Sequence, residues 1–261
     1  MRITKQSIDY WGAVFWDAYL AQKGYFILGY TKSGTNWIRN LLRSYFDIDY
    51  PTKEGYSSSF FRKRVHHLHR FISSNYFNKK TVYMVRDGRD TIVSRYFTMI
   101  RQESQLTMKD EFSKQIGEVP SEENIVQLLP AYINFLCQYH GSSIDWKSHL
   151  EVAQKRNFLI IKYEDLRQDT SSTLKKVISY LEPNDSIDEL KIKQAIDYCS
   201  IESEKKKKKI DTGFFRKDGG KSGTWKNYFS ADSAKAFDLY AGDFLIQYGY
   251  EENHNWINHF S

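Results

Sequence analysis

The chain has 261 residues, in which 38 lysines and arginines outnumber 32 aspartates and glutamates to give a formal charge of +6. This length suits one sizeable α/β core, no apolar run approaches the length of a membrane span, and the beginning of the chain is too polar for a secretory signal. The two cysteines, Cys137 and Cys199, provide no disulfide framework, and we expect them to be small apolar side chains in a reducing compartment.

The first predicted unit is a strand, a tight turn and a helix. Residues 25–28 form a short apolar run typical of a buried strand, and residues 37–42 have helical spacing. The turn between them places backbone N–H groups and the positive end of a helix around one small volume, which favours an anion. Lys32 adds a full positive charge to that volume, and the other side-chain donors are Ser33, Thr35 and Asn36.

The turn differs from the nucleoside-triphosphate loop G-x-x-x-x-G-K-[ST]. Gly29 lies three residues before Lys32, and Gly34 follows the lysine instead of preceding it. Ser33 stands where that loop has its magnesium-binding hydroxyl, but no strand ending in aspartate is evident as its partner. A kinase that uses ATP and magnesium is therefore an alternative interpretation of this turn.

Residues 31–37, T-K-S-G-T-N-W, resemble the 5′-phosphosulfate loop of the sulfotransferases, Y-P-K-S-G-T-T-W. That family transfers a sulfuryl group from 3′-phosphoadenosine 5′-phosphosulfate (PAPS) to an acceptor. Thr31 replaces the usual proline, and asparagine replaces the second threonine. The resemblance implies that the loop residues which bind PAPS are Lys32, Ser33, Gly34, Thr35, Asn36 and Trp37.

The next segment offers three histidines for the general base that the resemblance implies. The family has K-T-H-L here, and alignment on His-Leu selects His67, whereas alignment on the preceding basic residue selects His66. In an extended segment, His67 and His69 share one face and His66 points away. His67 is therefore the first candidate, His69 the second and His66 the third. Arg64 or Lys63 takes the place of the family's nearby lysine.

Residues 81–85 predict a second strand, and a helical pattern begins after Asp87 and Gly88. Arg86 therefore lies at the carboxyl end of a strand, where open α/β sheets bind ligands. One interpretation is a surface turn whose charged side chains pair with one another. The segment also resembles the family's 3′-phosphate motif, R-[ND]-x-x-D-x-x-V-S, which implies that Arg86 and Ser94 bind that phosphate.

Residues 101–150 are the candidate for a lid or insertion on the acceptor side. Their helical pattern belongs either to such a lid or to the core, and it consists of Ile125, Leu128, Leu129, Tyr132 and Leu136. A further strand is predicted at residues 158–166 and a helix at about 171–181, with Thr170, Ser171 and Ser172 available as caps.

The strand at 158–166 contains Y-E-D-L, which ends a core strand in the family. The resemblance implies that Tyr163 packs near the adenine. The alternative is a buried tyrosine with a structural hydrogen bond.

The carboxyl-terminal third is rich in basic residues. The lysine run 205–209 is either solvated or a contact for an acidic acceptor or the cofactor rim. Residues 214–229 form a basic, glycine-rich loop that resembles the family's R-K-G-x-x-G-x-W-K-N-x-F. The resemblance implies that Arg216 and Lys217 bind the 3′-phosphate. Because Asp218 and one extra residue interrupt the usual order, the backbone contact falls on Gly219 or Gly220.

Together these patterns predict an α/β fold, a single sulfotransferase domain over residues 1–261 whose mostly parallel sheet has helices on both faces. The resemblance implies in-line transfer from PAPS to a hydroxyl or amine of a small molecule or glycan, with no metal. We expect a cytoplasmic protein that binds neither nucleic acid nor membrane, and the oligomeric state is open. The alternatives are a small-molecule or nucleoside kinase and a nucleotide-binding module without turnover.

Overall fold

The computed structural model describes residues 11–20, 22–48, 64–138, 145–156, 158–200 and 221–260. The strands in these ranges are β1 (Tyr25–Gly29), β2 (Val65–Leu68), β3 (Thr81–Val85) and β4 (Leu159–Lys162). The helices are α1 (11–15), which continues as a π-helix at Trp16–Leu20, α2 (Thr35–Tyr45), α3 (Asn75–Lys79), α4 (Gly88–Arg101), α5 (Leu106–Ile116), α6 (Ile125–Gln138), α7 (Trp146–Gln154), α8 (Tyr163–Gln168), α9 (Thr170–Leu181), α10 (Glu189–Tyr198) and α11 (Ala231–Gln247). Short 3₁₀ turns lie at Glu103–Gln105, Thr224–Asn227 and His254–Phe260.

The strands form one parallel sheet in the order β2-β1-β3-β4. The register pairs Tyr25 with Val65 and Ile27 with Val82, and β4 continues from β3. Because the strands are parallel, their carboxyl ends lie at one edge, which is where open α/β sheets bind ligands. The α/β class and the parallel sheet predicted from the sequence are confirmed. None of the helices in the described ranges is long and apolar enough to cross a bilayer.

The chain divides into two compact units. Unit 1 comprises residues 1–30, 34–85 and 152–209, and unit 2 comprises residues 31–33, 86–151 and 210–261. Unit 1 contains the whole sheet with helices α2, α3, α8, α9 and α10, and unit 2 contains α4, α5, α6 and α11. The extent of the predicted domain, residues 1–261, stays a prediction.

In unit 1, helices cover both faces of the sheet. One face contributes Tyr25 and Ile27 to a core that α2, α9 and α10 complete, for example with Leu41, Val177 and Ile192. On the other face, the ring of Phe26 lies 5.0 Å from the ring of Phe77 in α3. Alternate residues of β1 thus face the helices on opposite sides of the sheet. The side chains on both sides are fully buried, as expected for a central parallel strand.

A buried ion cluster joins the π-helix to β2. The Asp17 carboxylate is fully buried and accepts hydrogen bonds at 2.7 Å from Arg64 Nε, from Arg64 Nη2 and from the His66 ring. Burial lowers the pKa of His66, so the ring is neutral and its Nε2–H donates to Asp17. Burial by itself would raise the pKa of Asp17, but the hydrogen bonds from His66 and Arg64 outweigh it and the pKa is lowered. The ion pair therefore lies between Asp17 and Arg64.

An aromatic cluster holds α4, α5 and α6 together in unit 2. The ring of Tyr132 lies 5.2 Å from the rings of both Tyr96 and Phe112. The five apolar residues of the pattern at 125–136 are all buried. The acceptor-side lid at 101–150 stays a prediction.

Two local predictions around β4 are wrong. The Y-E-D-L residues form the first turn of α8 instead of extending the strand, because Glu164 and Asp165 suit the positive end of a helix. Helix α9 is capped by Asp169, whose carboxylate accepts from the Ser172 N–H at 2.9 Å, and not by a hydroxyl of Thr170, Ser171 or Ser172. An aspartate caps as well as a serine, and here it precedes the helix by one residue.

We expect Asp17→Asn to lower the free energy of unfolding by about 3 kcal/mol, because it leaves the buried Arg64 without its counter-charge. Urea unfolding measures this loss. Asp47→Asn is the matched control, since the Asp47–Lys191 pair is largely exposed and such pairs contribute little to stability. Equal losses in the two variants would contradict the assignment of this ion pair to the core.

Candidate active site

The turn after β1 brings uncapped backbone N–H groups to the start of α2 in unit 1. Gly34 is the N-cap at φ 86°, and no side chain caps the helix. Free N–H groups at a helix N-terminus favour an anion. A Cβ on Gly34 would overlap the ring of Tyr163, so the close approach requires glycine. The structure therefore brings together two of the predicted cofactor residues, Gly34 and Tyr163.

The preceding loop residues, which belong to unit 2, carry a desolvated cation. Lys32 has a left-handed backbone at φ 71°, and its carbonyl accepts a hydrogen bond from Arg86 Nη1 at 3.3 Å. Burial, followed by the positive charges of Arg95 and Arg86, lowers the pKa of Lys32. A cation in such surroundings gains from a bound anion, because the anion offsets both the lost hydration and the repulsion.

Ser33 supplies an independent sign of a ligand. Its side chain is fully buried, and its hydroxyl makes no hydrogen bond within the described part of the chain. Buried hydroxyls nearly always have a partner, since leaving one unsatisfied is costly. The oxygens of a phosphosulfate group fit this donor, so the residues of the loop fit the cofactor that the resemblance implies.

The 3′-phosphate motif is tied to the carboxyl-terminal loop by the buried Asp90. This carboxylate accepts from the N–H groups of Gly223 and Trp225 at 2.8 and 3.0 Å, and Arg86 lies 3.5 Å from it. Arg86 also donates to the Lys221 carbonyl at 3.3 Å. The remaining predicted residues of this loop, Arg216, Lys217, Gly219 and Gly220, and the lysine run at 205–209 lie outside the described residues.

The charged turn before α4 is buried, so its interpretation as a surface turn is wrong. Arg89 donates to the Asp87 carboxylate, and Arg89 also forms a second ion pair with Glu251. Its guanidinium carbon lies 3.8 Å from the ring centre of Trp225 and 4.7 Å from that of Trp256. Two carboxylates and two aromatic faces replace the hydration of Arg89, which is why burial is tolerated. Ser94 lies further along α4 and is half-buried.

The three histidines of the β2 segment point in the predicted directions. His67 and His69 lie together, with ring centres 4.6 Å apart, whereas His66 points away towards Asp17. His67 Nε2 lies 2.7 Å from Thr35 Oγ1, and His69 Nδ1 lies 2.7 Å from the Gly29 carbonyl. His66 is thus engaged in the core, and His67 contacts a residue of the phosphosulfate loop.

The imidazole of His67 is neutral. Burial, with smaller effects from His69 and Arg39, lowers its pKa to about 3. A neutral imidazole has one nitrogen lone pair, so it is able to accept a proton throughout the physiological pH range.

Unit 1 also contains a cavity of about 310 Å³ beside the start of α2. Trp37, whose ring centre is 6.1 Å from that of Tyr163, forms one wall. The other lining residues are Leu41, Arg167, Thr170, Ile196, Cys199 and Ser200. Trp37 was predicted, but the others were missed because they come from separate helices and share no sequence pattern. Asn36, by contrast, is exposed at the start of α2.

Other residues near the predicted ones also escaped the sequence analysis. Arg95 and Arg39 each influence a predicted site residue, and Asp90 anchors the loop that contains Trp225. The spacing of Arg39 from Thr35, one helical turn, is the only signal that would have found it. Within the described ranges, no three His, Cys, Asp or Glu side chains gather as a possible metal site.

The known proteins that this chain resembles include several sulfotransferases. A family model described as Sulfotransferase domain matches residues 66–249. Mouse sulfotransferase 2A6 is 28% identical over 257 residues, which cover 84% of this chain and 83% of that protein. Rat sulfotransferase 2A1 is 28% identical over 249 residues, or 81% of each.

A solved structure, mouse sulfotransferase SULT7A1 complexed with PAP, is similar in fold. Its TM-score is 0.64 at 20% identity, with 92% of this chain and 89% of that chain covered. A second, retinol dehydratase in complex with androsterone and inactive cofactor PAP, has a TM-score of 0.61 at 15% identity, with 91% and 85% covered.

We expect Gly34→Ala to destabilise the protein by about 3 kcal/mol, because it adds a steric clash with Tyr163 to the strain of a left-handed alanine. Gly117→Ala is the control: it has a similar φ of 72° but open space around the added methyl group. The control isolates the strain, which costs about 1 kcal/mol. Denaturant unfolding of both variants measures the difference, and equal losses would show that Tyr163 does not pack on the turn.

Proposed function

The chain belongs to the sulfotransferase family, whose domain model matches residues 66–249. On this premise we propose which residues bind the cofactor and which residue acts as the base. The activity is transfer of a sulfuryl group from PAPS to an acceptor. Lys32 and Ser33 bind the phosphosulfate, Arg86 and Ser94 bind the 3′-phosphate, and His67 removes the proton of the acceptor. His69 is the reserve candidate for the base.

The buried hydroxyl of Ser33 is the observation that carries this proposal. It is a donor without a partner in the described structure, next to a desolvated lysine. In sulfuryl transfer, negative charge develops on the oxygen that bridges to the leaving phosphate, and fixed donors and cations that face this oxygen lower the barrier. Lys32 neutralises the bridging oxygen, and Ser33 donates to a neighbouring oxygen of the same group.

Arg86 is proposed to bind the 3′-phosphate through its guanidinium group, which several neighbouring groups keep in one orientation. Its contacts with the Lys32 and Lys221 carbonyls and with Asp90 fix its plane. A fixed fork of donors binds a phosphate at a smaller entropic cost than a mobile lysine does. Arg216, Lys217 and Gly219 keep the roles that the family motif predicts for them.

The cavity beside Trp37 is the proposed site of the adenine. Its volume of about 310 Å³ is enough for a purine, and an indole face together with aliphatic side chains suits a flat aromatic ring. Tyr163 packs against Trp37 in an edge-to-face arrangement and keeps that wall in place.

The environment of His67 makes it a proton acceptor whose basicity responds to the ligand. Thr35 orients the ring, and burial keeps it neutral. A base with a pKa of about 3 is weak, but the negative charge of a bound phosphosulfate favours the imidazolium and raises the pKa of His67. The base therefore becomes effective when the cofactor is present.

The acceptor is proposed to be a hydroxyl group, or an amine, on a small molecule. Relatives in the family carry the name sulfotransferase, and one neighbour in fold was solved with androsterone. A glycan acceptor, a cytoplasmic location and the absence of nucleic-acid partners stay predictions.

We expect adenosine 3′,5′-bisphosphate, without magnesium, to raise the melting temperature, and ATP with magnesium to raise it less. Labelled PAPS with a panel of phenols, primary alcohols, steroid alcohols and amines should give a labelled product. Lys32→Ala should abolish transfer while the protein stays folded. Ser94→Ala should weaken bisphosphate affinity about tenfold, the value of one hydrogen bond to a charged group.

Lys235→Ala, on α11 outside the proposed site, is the control for the loss of a lysine. Stabilisation by ATP–magnesium alone would favour a kinase. Bisphosphate binding without transfer to any acceptor would indicate a nucleotide-binding module.

We expect kcat/KM for PAPS to fall less than twofold between pH 7.5 and pH 5.5, because this parameter reports the free enzyme, in which His67 has a pKa of about 3. An ordinary histidine would lose about tenfold over this range. His67→Ala should abolish transfer at every pH. A tenfold loss centred near pH 6.5 would contradict the assignment.

The lowest usable pH of this experiment is the one at which the protein begins to unfold. Circular dichroism at each pH is therefore the control that the protein is still folded. The folded pKa of His67 lies below the unfolded value, and the unfolded chain therefore binds the proton first. This contribution to stability is complete above about pH 6.5 and is lost progressively as the pH falls towards the folded pKa.

A further inference from the structure

Lys32 has a neighbour that none of the sequence motifs contains. Arg95 follows Ser94 on α4, and its Nη1 donates to Thr31 Oγ1 at 3.1 Å. Its Nη2 lies 3.8 Å from Sδ of Met108, a buried residue of α5. The guanidinium is thus held on one side by the helix pair and on the other side by the loop residue immediately before Lys32.

Thr31 occupies the position at which the family's loop has proline. A proline fixes its own φ near −65° and restricts the residue before it, so the turn loses little entropy when it forms. Threonine provides no such restriction. Lys32 nevertheless has φ 71°, which is unfavourable for any residue except glycine and needs support from its surroundings.

Two arginines provide that support. Arg86 holds the carbonyl of Lys32, and Arg95 holds the side chain of Thr31. Both belong to unit 2: Arg86 lies just before Asp87, the N-cap of α4, and Arg95 lies within that helix. Consecutive residues of the loop are therefore held by charge-assisted hydrogen bonds, which are the stronger kind.

We propose that Arg95 is a positioning residue that acts through Thr31 to hold Lys32 in its PAPS-binding conformation, in place of the missing proline. This inference rests on the proposed role of Lys32. Arg95 also adds positive charge beside Lys32, which increases the gain from binding an anion.

A double-mutant cycle tests the hydrogen bond. We expect Thr31→Val and Arg95→Met each to weaken PAPS binding about tenfold, and the double variant to be no weaker than about tenfold, because both substitutions remove the same interaction. Isothermal titration with PAPS measures these affinities. Losses that multiply to about a hundredfold would overturn the inference.

Thr31→Pro is the rescue experiment. It should keep the wild-type affinity for PAPS, and Arg95→Met should cost less affinity in the Thr31→Pro background than in the wild-type background, because the ring now restricts the turn and only the loss of positive charge beside Lys32 remains. A purely structural Arg95 would be equally sensitive in both backgrounds, and that outcome would overturn the proposal. Arg95→Lys, which keeps the charge but not the planar fork, should give an intermediate loss and replaces Arg95→Met if the latter fails to fold.

The reactivity of Lys32 provides a readout that needs no nucleotide. Amine modification of the free protein is followed against pH by peptide mass spectrometry. Removing the charge of Arg95 raises the pKa of Lys32, so Arg95→Met should shift the labelling curve to higher pH, and Thr31→Val should shift it less. Arg101→Met is the control, since Arg101 lies on the same helix and pairs with Glu122 at the surface. An unchanged curve in Arg95→Met would overturn the inference.

These measurements separate the two proposals. If wild-type protein binds no PAPS, the proposed function fails, and the labelling curves still decide the relation of Arg95 to Lys32. If Lys32→Ala abolishes transfer while Thr31→Val and Arg95→Met leave PAPS affinity unchanged, the role of Arg95 is wrong and the proposed function stands.

Discussion

A lysine withdrawn from water and placed beside two arginines is the constraint on which the candidate site depends. Burial is the main cause of the lowered pKa of Lys32, and the positive charges of Arg95 and Arg86 add to it. Such an arrangement is unfavourable in the absence of a ligand, and each of its components becomes favourable when an anion arrives. The fold thus stores electrostatic strain at the position where the chemistry requires positive charge, which is a form of preorganisation.

Other charged residues of unit 2 fix the groups around Lys32 in position. Asp90 lies at the centre, since its carboxylate caps the backbone of the loop at 223–225 and also balances Arg86. Arg89, one residue before it, is held by two carboxylates and two indole faces. The carboxylates of Asp87 and Asp90 are therefore engaged with Arg89, with Arg86 and with the backbone of the loop at 223–225.

The sequence predicted β1 and β3 closely, because central parallel strands are short, wholly apolar runs between polar turns. It also predicted that His67 and His69 share a face, since the two-residue period of a strand is a geometric property. The cavity beside Trp37 could not be predicted from the sequence, because Arg167 and Cys199 are brought together there only by tertiary packing. The burial of Asp87 and Arg89 was likewise missed, because a charged turn shows no sign of the aromatic rings that cover it.

The same limit explains why the sequence could rank the three histidines as candidate bases but could not show what His66 contacts. In the sequence, His66 and His67 are adjacent, and each fits one alignment with the family. Asp17 decides between them: it lies far away in the chain, and it binds His66 into the core with Arg64. A ring that donates to a buried carboxylate is part of the framework, and His67, the ring that contacts Thr35, is therefore the one that we propose for the proton transfer. The buried ion cluster thereby fixes the register of β2 and, with it, the direction in which His67 points.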